Sequence, residues 1–215
     1  MKNILFIILF TLSYSCHEKK NVTEVVAVHN GELPYFNTPD FTPTWTKGDH
    51  KIPEFSLINQ NGDTITNQNY KGKIYIANFF FTICPSICPR LTESMFTLQE
   101  KYGKDDDIQL ISHSVMPWYD NVEVLAEYAE NNGILEKKWN IVTGPQEAIY
   151  ELARNGYFAD EDFVKTSKES NFIHTENFIL VDKEGYIRGV YNGTLPIDMK
   201  RLSRHIKILK NQYQM

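Results

Sequence analysis

Residues 74–89 read IYIANFFFTICPSICP, and this stretch decides the fold. Its first part, Ile74 to Phe81, is rich in β-branched and aromatic residues, which predicts a strand buried on both faces. Cys84 and Cys88 follow at once, and a proline comes directly after each of them. Apolar side chains then recur at helical spacing before Gly103: Leu91, Met95, Leu98 and Tyr102. The pattern therefore places the two cysteines between the end of a buried strand and a helix.

Strands and helices alternate on both sides of this unit. Upstream, strands at residues 55–59 and 64–66 flank an Asn-Gly-Asp turn and form a hairpin. Downstream, the pattern predicts strands at 108–115 and 139–142, helices at 122–132 and from Pro145, a hairpin at 178–191 and a helix at 197–209. This order predicts an α/β fold, a thioredoxin-like mixed sheet flanked by helices, with an N-terminal β-hairpin extension. Active groups of such sheets gather at the carboxyl ends of the strands, where the cysteines lie.

Length and charge limit the class of protein. The chain has 215 residues, which is enough for one domain with a buried core and some additional length. Its net charge of -5 argues against a nucleic-acid partner, because such proteins normally present a basic surface.

The N-terminal residues resemble a targeting segment. Lys2 precedes a continuous apolar stretch, Ile4 to Leu12, which is too short to span a bilayer but fits a signal peptide. Cys16 follows a small residue, as in bacterial lipoprotein processing sites. We therefore expect a lipoprotein-type signal peptide at 1–15, a polar tether at 16–45 and a thioredoxin-like domain at 46–215. A lipid on Cys16 would anchor the domain to a membrane of the cell envelope, facing the periplasm or another extracytoplasmic space.

Cys84 and Cys88 are the candidate reactive groups. Four residues apart at a helix start, they would lie one turn apart near the positive end of the helix dipole, which lowers thiol pKa values. Such a pair forms a disulfide or half of a soft metal site. A closed structural zinc site needs four ligands, and the chain has no second cysteine pair. Two cysteines with one histidine suit copper, and the spacing leaves both His113 and His174 open as the third ligand.

The cysteine motif and a second segment together resemble the Sco/SenC family. The second segment is His174-Thr175, followed by Phe178 to Asp182 and Gly185. The resemblance covers roughly residues 55–209. It implies that Cys84, Cys88 and His174 are copper ligands and that the protein is a copper chaperone in the assembly of cytochrome c oxidase. The partner would then be the copper-centre subunit of the oxidase or another copper protein.

The same resemblance leaves two other functions open. Family members also act as thiol–disulfide oxidoreductases, which would make Cys84 and Cys88 catalytic. A redox or copper sensor that acts by binding is the third hypothesis. One position departs from the family pattern, because Met116 stands where an Asp is usual, whereas the second acidic position is kept as Asp120. Met116 is either a packing residue or an additional soft ligand.

Overall fold

A mixed seven-stranded sheet forms the centre of the protein in a computed structural model that describes residue 28 and residues 31–159 and 175–214. The strands are β1 (Tyr35–Phe36), β2 (Pro43–Thr44), β3 (Ser56–Asn59), β4 (Thr64–Thr66), β5 (Ile74–Phe80), β6 (Ile108–Ser114), β7 (Trp139–Thr143), β8 (Asn177–Val181) and β9 (Ile187–Asn192). The helices are α1 (Asn67–Tyr70), α2 (Cys88–Tyr102), α3 (Val122–Asn131), α4 (Gln146–Glu151) and α5 (Pro196–Gln212), and a π-helical turn, Leu152–Gly156, continues α4. The predicted signal peptide, Cys16 and His174 lie outside the described residues.

The strand order in the sheet is β4-β3-β7-β6-β5-β8-β9, with β1 and β2 paired separately. The central strands β5, β6 and β7 are parallel, while β3, β8 and β9 pair antiparallel with their neighbours. This arrangement confirms the predicted α/β fold, including both hairpins. No helix in the described part of the chain has the length and apolar character needed to cross a bilayer.

The sheet separates two apolar cores. Ile76 and Phe80 of β5 lie in the cysteine-side core, which α2, α3 and α5 cover and which contains both cysteines. Tyr75 and Phe79 point the other way, into the opposite core, which α1, α4 and the π-helical turn cover. Successive side chains of a strand face opposite sides of a sheet, so a strand buried on both sides reads as a continuous apolar run.

The folded part begins upstream of the predicted boundary at residue 46. Leu33 and Phe36 are buried, and β1 pairs with β2 inside the segment that the sequence predicted as a tether. Arg188 of β9 donates hydrogen bonds to the backbone carbonyls of Leu33 and Pro34, at 2.5 and 2.9 Å. The prediction was wrong for these residues because two apolar side chains and a buried guanidinium hold a segment with no periodicity of its own.

Arg188 also forms a buried ion pair. Its guanidinium lies 3.0 Å from the carboxylate of Asp182, which also accepts the backbone N–H groups of Glu184 and Tyr186 in the β8–β9 turn. Both side chains are almost fully buried. One cation therefore links the β8–β9 turn to the N-terminal segment.

We expect Arg188→Met to lower the free energy of unfolding by about 3 kcal/mol, because it leaves the Asp182 carboxylate buried without its cation. Guanidinium denaturation of the two proteins measures the difference. The matched control is Lys47→Met, which removes the exposed pair with Glu184 and should change stability by less than about 1 kcal/mol. Equal effects of the two substitutions would contradict this account of the N-terminal segment.

Candidate functional site

The two cysteines lie where β5 passes into α2, at the carboxyl ends of the parallel strands, as the sequence predicts. Cys88 is the first residue of α2, and Pro89 occupies a first-turn position that needs no backbone N–H donor. Cys84 lies in the preceding loop, where its N–H donates to the carbonyl of Phe81 at 3.3 Å. The expectation that both cysteines belong to one helical turn was therefore wrong, because helical hydrogen bonding starts only at the carbonyl of Ile87.

Both thiols are free and border a cavity of about 390 Å³. Cys84 is 8% exposed and Cys88 4%, so each sulfur is almost covered by apolar neighbours. The cavity wall comprises Phe79 to Phe81, Cys84 to Cys88, Val115 and Thr175. Thr175 brings the start of the β8 segment to the same space as the dithiol.

Hydrogen bonding lowers the pKa of the Cys84 thiol. Burial acts against this and raises the pKa, but four hydrogen bonds to the sulfur outweigh it. They come from the backbone of Ser86, Ile87 and Cys88 and from the thiol of Cys88. The turn that precedes α2 therefore surrounds one sulfur with donors and favours its thiolate form.

Burial raises the pKa of Cys88 to about 12, although a hydrogen bond from the backbone of Phe81 acts in the other direction. The neighbouring Cys84 sulfur and the charge of Asp120 raise it further. The expectation that the helix dipole lowers both thiol pKa values was therefore wrong for Cys88. A helix start contributes little to a sulfur that is removed from water and lies beside another anion.

His113 lies on the other side of the sheet from the cysteines. Its ring stacks on Phe79 at 5.0 Å and contacts Tyr157 at 5.2 Å, both in the opposite core. Burial lowers its pKa to about 4, and its Nε2 atom has no hydrogen-bond partner in the described structure. Of the two candidate histidines, His113 is therefore separated from the dithiol by the sheet itself.

His174 lies outside the described residues, and the next residue along the chain, Thr175, borders the cysteine cavity. Within the described ranges, no three His, Cys, Asp or Glu side chains come together as a metal site. Met116 is half-buried, and it is Val115, its neighbour, that borders the cavity.

A buried carboxylate behind the cysteine loop is the feature that sequence reasoning missed. Asp120 is fully buried, and it accepts hydrogen bonds from the Thr82 N–H, the Thr82 hydroxyl and the Ser114 hydroxyl. The sequence marks Asp120 only as an acidic position shared with the family pattern. The predicted strand order could have indicated this cluster, because Thr82 and Ser114 lie at the ends of two adjacent parallel strands.

Comparison with known proteins finds relatives over most of the chain. The family model described as SCO1/SenC matches residues 44–209. The SCO1 protein homolog of Bacillus subtilis is 33% identical over 146 residues, which cover 67% of this chain and 75% of that protein. Two solved structures have the same fold. BsSco, described as a member of the Sco family of cytochrome c oxidase assembly proteins with a disulfide switch, is 29% identical with a TM-score of 0.63, covering 75% of this chain and 94% of its own. The structure of Arabidopsis thaliana ScoI with copper bound is 26% identical, with a TM-score of 0.55, and the match covers 76% of this chain and 98% of that chain.

Proposed function

The chain belongs to the SCO1/SenC family, and we propose that it binds copper through Cys84, Cys88 and His174 and delivers it during assembly of cytochrome c oxidase. The observation that carries the proposal is the adjacent thiol pair at a cavity whose wall includes Thr175, the neighbour of His174. The relatives add support, since one is described with copper bound and another as an oxidase assembly protein.

The donor set suits copper chemically. Thiolates are soft ligands that prefer Cu(I) to hard cations, and a site with few ligands leaves the metal open to exchange. The Cys84 sulfur is already biased towards the thiolate, whereas Cys88 has to release its proton when a metal binds. Most of the cavity wall is apolar, with the three phenylalanines Phe79 to Phe81 on one side.

The copper is cargo, so its release is as important as its binding. Ile83, next to Cys84, is 49% exposed, and the dithiol loop lies at the edge of the sheet. A partner's thiolates can approach the metal there and replace the ligands one at a time. Ligand exchange of this kind transfers Cu(I) without net oxidation or reduction.

Removing any one of the three ligands should lower Cu(I) affinity by at least about 100-fold, since a metal held by so few donors loses a large part of its binding energy with each. Competition titration against a chromophoric Cu(I) chelator compares wild type with Cys84→Ser, Cys88→Ser and His174→Ala. The control is His50→Gln, whose ring bonds the carbonyl of Gly156 and stacks on Phe158, and it should bind as wild type does. Full-strength binding by His174→Ala would rule out that residue as a ligand.

A thiol–disulfide oxidoreductase is the second candidate function, and the opposite pKa shifts of the two thiols favour it. A low-pKa thiol attacks a disulfide, and a second thiol then resolves the mixed disulfide. Cys84 has the properties of the attacking thiol and Cys88 those of the resolving thiol. The two functions are compatible, because copper transfer to a cysteine-containing partner needs that partner reduced.

Under this second function, Cys88→Ser should accumulate a mixed disulfide through Cys84, because no thiol remains to resolve it. Incubation with a disulfide-bonded partner domain, followed by non-reducing electrophoresis and mass spectrometry, detects the adduct. The reciprocal variant, Cys84→Ser, is the control and should trap far less, because burial keeps the Cys88 thiol protonated near neutral pH. Equal trapping by both variants would contradict the assignment of the two roles.

We also propose that a lipid on Cys16 holds the domain at a membrane of the cell envelope, as the sequence of residues 1–16 predicts. Cys16→Ser should then move the protein from the membrane fraction to the soluble fraction of lysed cells. Cys84→Ser is the matched control and should stay with the membranes. Retention of Cys16→Ser in the membrane fraction would show that another segment provides the anchor.

A further inference from the structure

Asp120 is a fully buried carboxylate directly behind the cysteine loop. The ion pairs of residues 31–159 and 175–214 do not include it, so no described Lys or Arg neutralises it. A buried charge without a cation is costly unless hydrogen bonds satisfy it. The three donors from Thr82 and Ser114 provide this compensation.

These bonds fix Thr82 at two points. Its N–H donates to one carboxylate oxygen at 3.2 Å and its hydroxyl to the other at 2.5 Å. The Ser114 hydroxyl binds Asp120 from the end of β6, also at 2.5 Å. The carboxylate thus joins the ends of two neighbouring strands, and Thr82 is only two residues before Cys84.

This junction includes the turn that leads into Cys84. The N–H of Cys84 donates to the carbonyl of Phe81, so Thr82 lies inside the turn that this bond closes. A disulfide needs Cβ atoms within about 4 Å of one another, whereas two free thiols tolerate separation. Any loosening of the loop therefore favours the open dithiol over a closed disulfide or a shared metal.

We propose that Asp120 is a positioning residue for the dithiol, which acts through Thr82 to hold the sulfur of Cys84 next to that of Cys88. The inference rests on the proposed function, since it concerns the same two sulfurs, and it adds a fully buried residue to their site. Its role is geometric. The charge of Asp120 raises the pKa of Cys88, but that thiol is protonated near neutral pH in any case, so the disulfide equilibrium depends on the hydrogen bonds.

The test is the equilibrium of the dithiol with glutathione. In this reaction the two protein thiols and one glutathione disulfide give the protein disulfide and two glutathione thiols, so two electrons and two protons pass to glutathione. Thr82→Val keeps the shape of the side chain but loses the hydroxyl bond to Asp120. We expect it to lower the equilibrium constant for disulfide formation about tenfold, which corresponds to ~30 mV. Thr82→Ser keeps the hydroxyl and should stay within about twofold of wild type.

Asp120→Asn separates geometry from charge. Its amide oxygen can accept from the Thr82 N–H and Ser114, and its NH₂ can donate to the Thr82 hydroxyl, so the junction survives without the charge. We expect the equilibrium constant for disulfide formation in Asp120→Asn to stay within about twofold of that of wild type. Asp120→Ala removes all three bonds and should lower the constant more than Thr82→Val does. A shift in Asp120→Asn as large as in Asp120→Ala would overturn the geometric role.

One control and one further test variant complete the experiment. Thr97→Val removes a threonine hydroxyl bond on the exposed side of α2, to the carbonyl of Glu93, and should leave the constant unchanged. Ser114→Ala loosens Asp120 from the β6 side and should lower the constant in the same direction, which tests the proposal even where Thr82→Val is unstable. If Thr82→Val and Ser114→Ala both have the same equilibrium constant for disulfide formation as wild type, and wild type binds Cu(I), the inference is refuted while the proposed function stands. Failure of wild type to bind Cu(I) refutes the proposed function instead.

Discussion

The parallel pairing of β5 with β6 is the constraint on which the site depends. Phe80 lies opposite Ser114, and the Val115 N–H donates to the Phe80 carbonyl at 2.9 Å, so the two strands end at the same level. The loop after β5 carries the dithiol, and the loop after β6 carries Asp120. Because both loops leave the same edge of the sheet, a carboxylate from one can hold the backbone of the other. A slip of one residue in this register would turn every side chain of a strand to the other face.

The chemistry of the two sulfurs differs because their backbone surroundings differ. Burial acts to raise the pKa of both thiols. At Cys84 four hydrogen bonds to the sulfur outweigh it, whereas at Cys88 the Cys84 sulfur and the charge of Asp120 add to it. The chain turns around Cys84 before α2 starts, which points several N–H groups at its sulfur, whereas Cys88 receives one backbone bond. This difference in pKa suits both a metal carrier and a dithiol reductant. In each, one sulfur reacts first as a thiolate, and the other loses its proton only in a second step.

The order of the elements was predictable because each has a clear hydrophobic period. β5 reads as a doubly buried strand and α2 as an amphipathic helix, and both lie where the pattern predicts. The N-terminal segment was not predictable, because β1 and β2 have two residues each and lie among prolines, too short for any period. The start of α2 also differs from the prediction, because the helix begins at Cys88 and leaves Cys84 in the preceding loop. Spacing alone does not show which carbonyl begins helical hydrogen bonding when two prolines flank the candidate positions.

The sequence by itself determined the fold class, the location of Cys84 and Cys88 at a strand end, and the two histidines that compete as a third ligand. Only the tertiary structure decided that His113 faces the opposite core. Alternation along β6 assigns its residues to two faces, but the loop after β5 can fold over either face, and the docking of α2 selects one. Only the tertiary structure revealed the hydrogen bonds of Asp120 to Thr82 and Ser114. A carboxylate distant in sequence from Thr82 becomes its partner through the register of two parallel strands, and no local pattern records that register.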